Sequence, residues 1–368
     1  MKYRVLHIFS SRTIGGAEKA TLFLADSLQK SGEVQNFIAA PPGSFLFKDA
    51  VQKNLHAFSF QAKNSFDPLA IFNLIRIIKK NNMDIVHVHQ GKLYWTALAA
   101  KFFCRGLKVV FHRRQDTRHS FFSANHYKFA DAVITVSKAV ADGLIRYEKV
   151  QPEKIKVVYN GANLEKFSLD TDFSDVIKEY SLEGKTVVGT VGAIVDLKGK
   201  GQIFLIEAAK FLRTDFPNLR YLIVGAGSGL EDLKRYAQST GVGDIVYFTG
   251  YREQVQKFVS AMNVFCLLSW DTEGMPNVLI EAQALKKPVI ATNIGGIPEA
   301  FINGETGIMI EPSNVLQTAK AVKELVGDPD KARRMGENGR KFVEGKFTVK
   351  NMVSNTLDVY NKITAVKK

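Results

Sequence analysis

The stretch Asp271–Ala300 reads DTEGMPNVLIEAQALKKPVIATNIGGIPEA and combines a turn, a helical segment, an apolar strand and a glycine pair. Pro276 suits the first position of a helix, where its missing N–H costs nothing. Glu273 then precedes the helix, and Glu281 lies about one turn inside it, on the same face as Asn277. Free N–H groups at a helix start attract anions. Because carboxylates also accept hydroxyl hydrogens, the segment predicts a site for a phosphorylated sugar; the alternative is that both carboxylates only complement the helix dipole.

Short apolar strands alternate with helical patterns on both sides of this stretch, as is typical of parallel sheets covered by helices on both faces. In the first half, the predicted strands and helices are Tyr3–Phe9, Ala17–Ser31, Phe37–Ala40, Leu69–Lys80, Ile85–His89, Leu93–Phe103, Val109–His112, Ala132–Val136 and Ser137–Tyr147. In the second half they are Thr186–Val191, Arg220–Val224, Ile245–Phe248, Val264–Leu268, Pro288–Ala291, Thr306–Ile310, Leu316–Leu325, Ala332–Val343 and Val349–Ile363. We therefore predict an α/β protein with two doubly wound, Rossmann-like domains and a cleft between them.

The bulk composition indicates a globular protein. A chain of 368 residues is long enough for two domains, and its 46% hydrophobic residues can supply two cores. The longest apolar runs, such as Val264–Leu268, are far shorter than the roughly 20 residues that a bilayer span needs. The N-terminal MKYRVLHIFSS is typical of a first strand and not of a signal peptide. Cys104 and Cys266 stand in apolar surroundings, which favours buried free thiols in a reducing, cytoplasmic compartment.

The positive charge is concentrated in the first half of the chain. Residues 1–165 carry 24 Lys and Arg against 12 Asp and Glu, whereas residues 166–368 carry 26 against 24. A strongly basic half attracts polyanions such as an anionic membrane surface, phosphorylated lipids or nucleic acid. A general solubilising charge would not predict this one-sided distribution.

Two glycine turns that follow predicted strands are candidates for phosphate binding. Gly15 and Gly16 precede the first helix, where the backbone can approach a ligand closely. Gly192 opens the turn after the strand Thr186–Val191, and Lys198 offers a point charge to phosphate oxygens. An ordinary strand-to-helix turn and a surface lysine are the alternatives.

Three further patterns carry little weight. The run Gly225–Gly229 lacks the last glycine of a dinucleotide fingerprint, and a tight turn that lines a nucleotide pocket is the better interpretation. The run Gly184–Thr186 lacks the first glycine of a P-loop and precedes a strand. Asp170–Asp172 has a D-x-D form but lies in a polar connection, so we predict no metal site.

The segment around Glu273 and Glu281 resembles the E-x7-E signature of glycosyltransferase family 4, which contains retaining enzymes of the GT-B fold. The flanking IGGIPE and the GGAE at Gly15 strengthen this resemblance, which spans nearly the whole chain. It implies an N-terminal acceptor-side domain of residues 1–167, completed by a terminal crossover helix within residues 347–368. Residues 168–346 would bind a nucleotide-diphosphate sugar, and no other cofactor is expected.

The resemblance also implies roles for individual residues. Gly15 and Gly16 would contact the donor diphosphate, and Lys198 would neutralise it. The family usually has an Arg where this chain has Ala193, so one phosphate cation is missing, and Lys200 or an Arg of the first domain are the possible substitutes. Glu273 would bind the transferred sugar and Glu281 the ribose. The remaining predicted donor contacts are Gly192, Arg252, Gly274, Met275, Pro276 and Asn277.

The acceptor side is predicted from histidines and basic aromatic segments. His112 ends a strand, where side chains of doubly wound domains meet ligands, and in the resembling family a His here neighbours the donor sugar and the reacting hydroxyl. His89 is a competitor for this role, and both are compatible with structural histidines. The run His112–Phe122 mixes cations and aromatics, and the tips of Leu69–Lys80 and Leu93–Arg105 are candidates for an anionic membrane surface.

We therefore predict a retaining glycosyltransferase that transfers a sugar to a hydroxyl of a lipid-linked glycan in surface polysaccharide or lipopolysaccharide synthesis. We expect it in the cytoplasm, peripherally on the inner face of the membrane. One alternative is a sugar-nucleotide epimerase, which acts on the donor without an acceptor. Another is a basic nucleic-acid-binding protein, although no recognised nucleic-acid motif occurs in the chain.

Overall fold

The computed structural model describes residues 2–12, 15–115 and 125–365. The chain divides into two compact units, a first unit of Met1–Gly161 with Val349–Lys368 and a second unit of Ala162–Thr348. Residues 162–167, which the sequence analysis places with the first domain, belong to the second unit. The reason is local bonding, because the Ala162 N–H donates to the Phe347 carbonyl and Arg340 donates to the carbonyl of Phe167.

The strands of the described residues are β1 (Tyr3–Ile8), β2 (Val34–Ala40), β3 (His56–Ser59), β4 (Ile85–Val88), β5 (Lys108–Arg113), β6 (Ala132–Thr135), β7 (Ile155–Val157), β8 (Thr186–Val191), β9 (Leu219–Val224), β10 (Val246–Gly250), β11 (Val264–Leu267), β12 (Val289–Thr292) and β13 (Gly307–Ile310).

The α-helices of the same residues are α1 (Gly16–Lys30), α2 (Phe45–Gln52), α3 (Pro68–Lys80), α4 (Tyr94–Phe103), α5 (Lys138–Glu148), α6 (Ser174–Glu179), α7 (Gln202–Leu212), α8 (Leu230–Ser239), α9 (Val255–Ser260), α10 (Asn277–Ala284), α11 (Val315–Gly327), α12 (Pro329–Lys346) and α13 (Val349–Ala365). Among the described residues, none of these helices is both long and apolar enough to cross a bilayer.

Each unit contains a parallel sheet whose strand order reverses once. The first sheet has the order β3-β2-β1-β4-β5-β6-β7, and the second has the order β10-β9-β8-β11-β12-β13. The order therefore reverses between β1 and β4 in the first unit and between β8 and β11 in the second. In doubly wound sheets, ligands bind outside the carboxyl ends of the strands at such a reversal. The predicted α/β class with two Rossmann-like domains is confirmed.

The first sheet is buried on both faces because alternate strand residues point to opposite sides. Leu6, Val86 and Phe111 pack with residues of α3 and α4 in one apolar cluster. Val5 and Ile85 point the other way and pack with residues of α1 and α13. The C-terminal helix α13 is thus a core element of the first unit.

The segment that contains α2 and β3 was not predicted from the sequence. Ser44 caps α2 by accepting a hydrogen bond from the Phe47 N–H, and β3 pairs in parallel with β2 at the sheet edge. Both elements are short, eight and four residues, and β3 is largely solvent-accessible. Short edge elements carry little hydrophobic periodicity, which explains why the sequence does not reveal them.

Candidate active site

The loop that follows β8 is supported by a glycine-rich turn after β9. The N–H of Ile194 donates to the Ala226 carbonyl, and the N–H of Gly229 donates to the Ile194 carbonyl. A Cβ atom added at Gly225 or Gly227 would lie only 1.9 or 2.2 Å from a backbone oxygen of the β8 loop. The glycines of this turn are therefore required for close backbone packing, which positions the loop that carries Lys198 and Lys200.

The carboxylate of Glu273 is held by two neighbours at the carboxyl end of β11. Lys200 Nζ lies 2.6 Å from Glu273 Oε1, and Ser269 Oγ donates to the same oxygen at 3.0 Å. The Glu273 side chain is only 12% exposed, whereas that of Lys200 is 39% exposed. The ion pair thus joins the loop after β8 to the loop after β11, where the strand order of the second sheet reverses.

The glycine pair of IGGIPE fixes the backbone of the Glu273 loop. Gly296 N–H donates to the Glu273 carbonyl at 3.0 Å. Gly295 has a φ of +51°, and an added Cβ would lie 2.1 Å from the same carbonyl oxygen. Thr292 Oγ1 also donates to the carbonyl of Ser269 at 2.7 Å. The second half of the opening stretch therefore packs directly against the first.

Lys198 lies in an exposed part of the β8 loop. Its Nζ stands 4.5 Å from the centroid of the Trp270 ring, a cation–π distance. The Asp196 carboxylate accepts hydrogen bonds from the N–H groups of Lys198 and Gly199, which shapes the turn. Gly192 starts the same loop, and a Cβ there would lie 3.1 Å from the Lys200 side chain. The two lysines therefore differ in position, since Lys200 pairs with Glu273 and Lys198 covers an aromatic ring.

The helix α10 begins one residue later than the sequence indicates. Pro276 is the N-cap residue with extended backbone angles, and Asn277 is the first helical residue. The expectation that Pro276 occupies the first helical position is therefore wrong. Gly274 and Met275 are buried in the preceding loop, and Glu281 is half-buried one turn into the helix. The start of the helix still lies between Glu273 and Glu281 in the sequence.

Arg252, which the sequence analysis predicts to contact the donor, forms hydrogen bonds with residues near the start of the second unit. Its guanidinium donates to the Glu179 carboxylate and to the Tyr180 hydroxyl, and Nε donates to the Thr249 carbonyl. It also stacks over the Phe258 ring at 5.2 Å. These contacts hold the loop after β10 against the end of α6, and the predicted nucleotide contact of Arg252 stays a prediction.

Four histidines lie close together on one face of the first sheet, near the reversal between β1 and β4. His7, His87 and His112 belong to β1, β4 and β5, and His89 follows β4. All four are buried on the sheet face that packs against α13. His7 Nδ1 lies 2.9 Å from His89 Nε2, and His112 Nδ1 lies 3.2 Å from His87 Nε2. The four histidines thus form two hydrogen-bonded pairs, which lie in ring contact with each other.

Two polar residues from other elements complete this network. The Tyr360 hydroxyl of α13 lies 2.7 Å from His87 Nδ1, and the Asn36 side chain of β2 lies 2.8 Å from His7 Nε2. Three of the histidines, at positions 7, 87 and 89, have ring nitrogens within 4.8 Å of one another, a spacing that a metal ion can bridge. Both ring nitrogens of His7 and of His87 have hydrogen-bond partners, whereas the buried Nδ1 of His89 has none among the described residues.

The histidines of the cluster are held in their neutral form. Burial lowers the pKa of His7 to about 4, an effect that the Asn36 hydrogen bond opposes and the Arg114 cation reinforces. Burial, followed by the charge of Arg114, likewise holds the pKa of His112 well below its usual range. Burial also lowers the pKa values of His87 and His89, with contributions from the neighbouring rings. At neutral pH these side chains exchange hydrogen bonds but carry no charge.

The predicted phosphate turn of the first unit lies at the start of α1. Gly15 is the N-cap residue and Gly16 the first helical residue. A Cβ at Gly15 would lie 2.8 Å from the buried Glu18 carboxylate, so glycine permits this close approach.

Burial lowers the pKa of Arg114 to about 10, and the charge of Glu18 opposes this effect. The adjoining residues 13–14, and residues 116–124 of the predicted run His112–Phe122, lie outside the described residues.

The structure adds residues that sequence reasoning missed. The pairing of Lys200 with Glu273 links loops 73 residues apart, which no local pattern reveals, whereas Ser269 lies four residues before Glu273. The spacing of His87 and His89, two residues apart in a strand, does indicate one shared face, and this signal could have grouped them. Tyr360 lies 273 residues after His87 and carries no recognisable motif.

Comparisons with known proteins agree with this architecture. The family model described as glycosyl transferases group 1 matches residues 173–342, and the model described as Glycosyltransferase Family 4 matches residues 14–166. The two matches fall on the second and the first unit and together cover most of the chain.

Similar individual proteins include a capsular polysaccharide biosynthesis glycosyltransferase, CapM, from Staphylococcus aureus. It is 32% identical over 238 residues, which is 63% of this chain and 62% of that protein. The match spans about half to three-fifths of the length of that protein and of two further curated relatives.

Two solved structures share the fold over almost the full length. The crystal structure of a glycosyltransferase from Rickettsia africae ESF-5 has a TM-score of 0.89 and 24% identity, and the match covers 100% of this chain and 99% of that one. The structure of Anabaena Alr3699/HepE in complex with UDP-glucose has a TM-score of 0.86 and 20% identity, with 99% and 100% coverage. The predicted GT-B fold is confirmed.

Proposed function

This chain belongs to glycosyltransferase family 4, and from this premise we propose that it is a retaining enzyme that moves a sugar from a nucleotide-diphosphate donor to a hydroxyl of a growing glycan. The observation that carries the proposal is the Glu273 carboxylate, bound by Lys200 and Ser269 where the second sheet reverses its strand order. A carboxylate fixed by a cation and a hydroxyl is suited to orient sugar hydroxyls.

The second unit offers the groups that a departing diphosphate needs. Amide N–H groups at the start of α10 and the ammonium groups of Lys198 and Lys200 supply positive charge without a metal ion. Lys200 is our candidate to replace the family arginine, since it lies in the same loop as Ala193 and its side chain is 39% exposed. In the proposed reaction the bond from the sugar C1 to the diphosphate oxygen breaks, and a bond from the acceptor oxygen to C1 forms on the same face.

The names of similar proteins support both proposed substrate classes. The HepE complex contains UDP-glucose, and the Staphylococcus aureus relative is named for capsular polysaccharide biosynthesis. These names support a nucleotide-sugar donor and a glycan acceptor for this chain. We assign the donor to the second unit, through Glu273, Glu281 and the α10 start, and the acceptor side to His112 of the first unit.

The exposed parts of α3 and α4 in the first unit are suited to contact a membrane surface. Helices α3 and α4 pack together, and they expose large apolar side chains at Leu69, Phe72, Phe102 and Phe103. Arg76, Lys79, Lys80 and Arg105 are exposed on the same two helices or directly after them. Aromatic residues among cations are suited to an anionic lipid surface. The acceptor is accordingly a lipid-linked saccharide, used on the cytoplasmic face of the membrane for surface polysaccharide or lipopolysaccharide.

Tyr94, an aromatic residue at the start of α4, is a core residue and does not contribute to the proposed membrane surface. It is buried and stacks on Phe111 at a centroid distance of 3.9 Å. Trp95 is half-buried and packs against the same apolar cluster. The proposed membrane contact therefore involves the C-terminal end of α4 and not its beginning.

The experiment that tests the proposal measures melting temperature with a panel of nucleotides and then product formation. A nucleoside diphosphate that binds the native state raises the melting temperature. At 100 times its Kd, it adds about 2.7 kcal/mol to the free energy of unfolding. The stabilising nucleotide, supplied as its sugar conjugate with lipid-linked saccharides, should yield a product with the donor's anomeric configuration. An epimerised nucleotide sugar formed without an acceptor would instead support the epimerase alternative. Binding of nucleic acid without any nucleotide effect would reject both enzymes.

A further inference from the structure

We infer that the Tyr360 hydroxyl, acting through His87, fixes His112 as a hydrogen-bond donor at its Nε2 atom. The inference rests on the acceptor-side role proposed for His112 and adds Tyr360 and His87 to it as positioning residues. Three side chains form the chain of contacts, with 2.7 Å from the Tyr360 oxygen to His87 Nδ1 and 3.2 Å from His87 Nε2 to His112 Nδ1. All three residues are buried, so water does not replace these hydrogen bonds.

Hydrogen-bond accounting selects one arrangement of protons. Within the described residues, the Tyr360 hydroxyl has no hydrogen-bond partner besides His87, so its hydrogen is satisfied only by donation to His87 Nδ1. His87 then carries its proton on Nε2 and donates it to His112 Nδ1. His112 consequently carries its own proton on Nε2. This arrangement leaves one buried group without a partner among the described residues, the Nε2–H of His112. The reversed arrangement would leave two, the phenolic hydrogen and the Nε2 lone pair of His112, and is therefore costlier.

His112 Nε2 is the last atom of this relay. It is buried and has no hydrogen-bond partner within the described part of the chain. The groups that face the ring from neighbouring elements are the neutral His7, His87 and His89 and the cation Arg114. This surrounding keeps the ring uncharged, so the only polar group that His112 can offer to a substrate is an N–H.

The inference restricts the chemistry at the acceptor side. A neutral imidazole that presents an N–H donates a hydrogen bond to a sugar or acceptor oxygen and does not remove its proton. The proton of the acceptor hydroxyl must therefore leave with another group. The departing diphosphate oxygen can accept it, because the C1–oxygen bond that breaks leaves a negative charge there.

The decisive experiment is a direct reading of the tautomer. Protein labelled with ¹⁵N in its histidine rings is recorded by long-range ¹H–¹⁵N correlation, and the His112 signals are assigned by their loss in His112→Gln. We expect the Nε2–H pattern for His112 in the wild-type protein at pH 7. An Nδ1–H pattern overturns the inference. This measurement needs no catalytic activity, so it stands even if the proposed glycosyl transfer fails.

A variant pair then links the tautomer to turnover. Tyr360→Phe keeps the ring but removes the hydroxyl, so we expect a mixed His112 tautomer and a kcat about tenfold lower, with the donor KM within about twofold. The matched control is Tyr3→Phe, because the Tyr3 hydroxyl binds Asn361 and Thr364 of the same helix α13 without touching the histidines. An unchanged tautomer in Tyr360→Phe, or equal losses of kcat in the two variants, overturns the inference. A normal tautomer result without any glycosyl transfer by the wild type rejects only the proposed function.

Discussion

The two units have the same strand order around the reversal, but their polar groups differ in burial and charge. In the first unit, four histidines are buried on one face of the sheet and are kept neutral. In the second unit, the polar groups Lys198, Lys200 and Glu273 stand in loops beyond the strand ends and are partly accessible. All seven histidines of the sequence fall within residues 1–126, so the second unit contains none.

This difference shows how one scaffold can support two kinds of chemistry. On the buried face of a sheet the dielectric constant is low, so a charge is costly, and these four histidines persist in a neutral, hydrogen-bonded form. Beyond the strand ends, water and backbone amides stabilise charges, so an ion pair such as Lys200–Glu273 can form. The first arrangement suits directed hydrogen bonds, and the second suits a phosphate.

The largest expected effect is the loss of stability of the first unit in mild acid. Histidines with depressed pKa values stabilise the fold fully above their unfolded pKa of about 6.5, and this contribution is lost as the pH falls toward the folded pKa. For His7, whose folded pKa is about 4, the loss is about 3 kcal/mol near pH 4. The second unit contains no histidine and should change little between pH 6.5 and 4.

The two tryptophans allow this expectation to be measured unit by unit, because Trp95 lies in the first unit and Trp270 in the second. Urea unfolding of the single-tryptophan variants Trp270→Phe and Trp95→Phe is followed by fluorescence at several pH values. The Trp95 transition should move to lower urea as the pH falls. Equal shifts of both transitions would show that the buried histidines do not make the first unit more sensitive to acid than the second.

The next effect concerns the glycine pair of the second unit. Gly295→Ala should destabilise this unit by about 2 kcal/mol or more, because alanine disfavours the positive φ and its Cβ meets the Glu273 carbonyl. Gly304→Ala is the matched control, since Gly304 also has a positive φ but an added Cβ there meets nothing within 4 Å. Urea unfolding reported by Trp270 should give about 1 kcal/mol for the control. Equal losses would mean that the contact with Glu273 is unimportant.

Charge at Glu273 is expected to matter for turnover and not for folding. Glu273→Gln keeps the size of the side chain but removes the charge that pairs with Lys200, and kcat should fall at least about tenfold, or about 1.4 kcal/mol. Steady-state kinetics with the donor that the nucleotide panel identifies provide the measurement. Glu305→Gln, at an exposed position of the same unit, should remain normal. A near-normal Glu273→Gln would remove this residue from the proposed site.

Lys198 provides a comparable test of the phosphate side. Lys198→Ala removes a cation from the β8 loop without breaking the Lys200–Glu273 pair, so we expect turnover at least about tenfold lower. Lys320→Ala, another exposed lysine of the second unit, serves as the control. If Lys198→Ala matches the control, then Lys200 alone supplies the side-chain cation of the loop.

The smallest expected effect lies on the exposed face of α3. Lys79→Gln should weaken binding to liposomes that contain anionic lipid by about 1 kcal/mol, or about fivefold, whereas Lys320→Gln in the second unit should not. Co-sedimentation at low salt measures the bound fraction. A wild-type protein that liposomes do not retain under these conditions would refute membrane association.

The fold was largely predictable because its strands and helices are strongly patterned. The predicted strands at β1, β8 and β11 correspond to observed strands, since fully buried parallel strands form continuous apolar runs. The edge strand β3 was missed because it is short and partly exposed. The start of α10 was misplaced by one residue, because Pro276 is compatible with both the N-cap and the first helical position.

The candidate site was predictable only in part. Glu273, Lys198 and His112 were identified from motifs and strand ends, and their proposed roles remain predictions. The ion pair of Lys200 and the relay from Tyr360 depend on contacts between distant segments. Side-chain contacts of this kind depend on loop conformation, which sequence periodicity does not encode.

By itself, the sequence determined the family, the two α/β domains, the one-sided positive charge and the confinement of the histidines to the first unit, because these depend on residue type and local spacing. Only the tertiary structure decided that Gly295 supports the Glu273 loop, that Lys200 meets Glu273, and that Tyr360 reaches His87. The physical reason is that hydrogen bonds and ion pairs need approaches within about 3 Å. Such approaches are set by how sheets and helices pack, and not by the order of residues along any one of them.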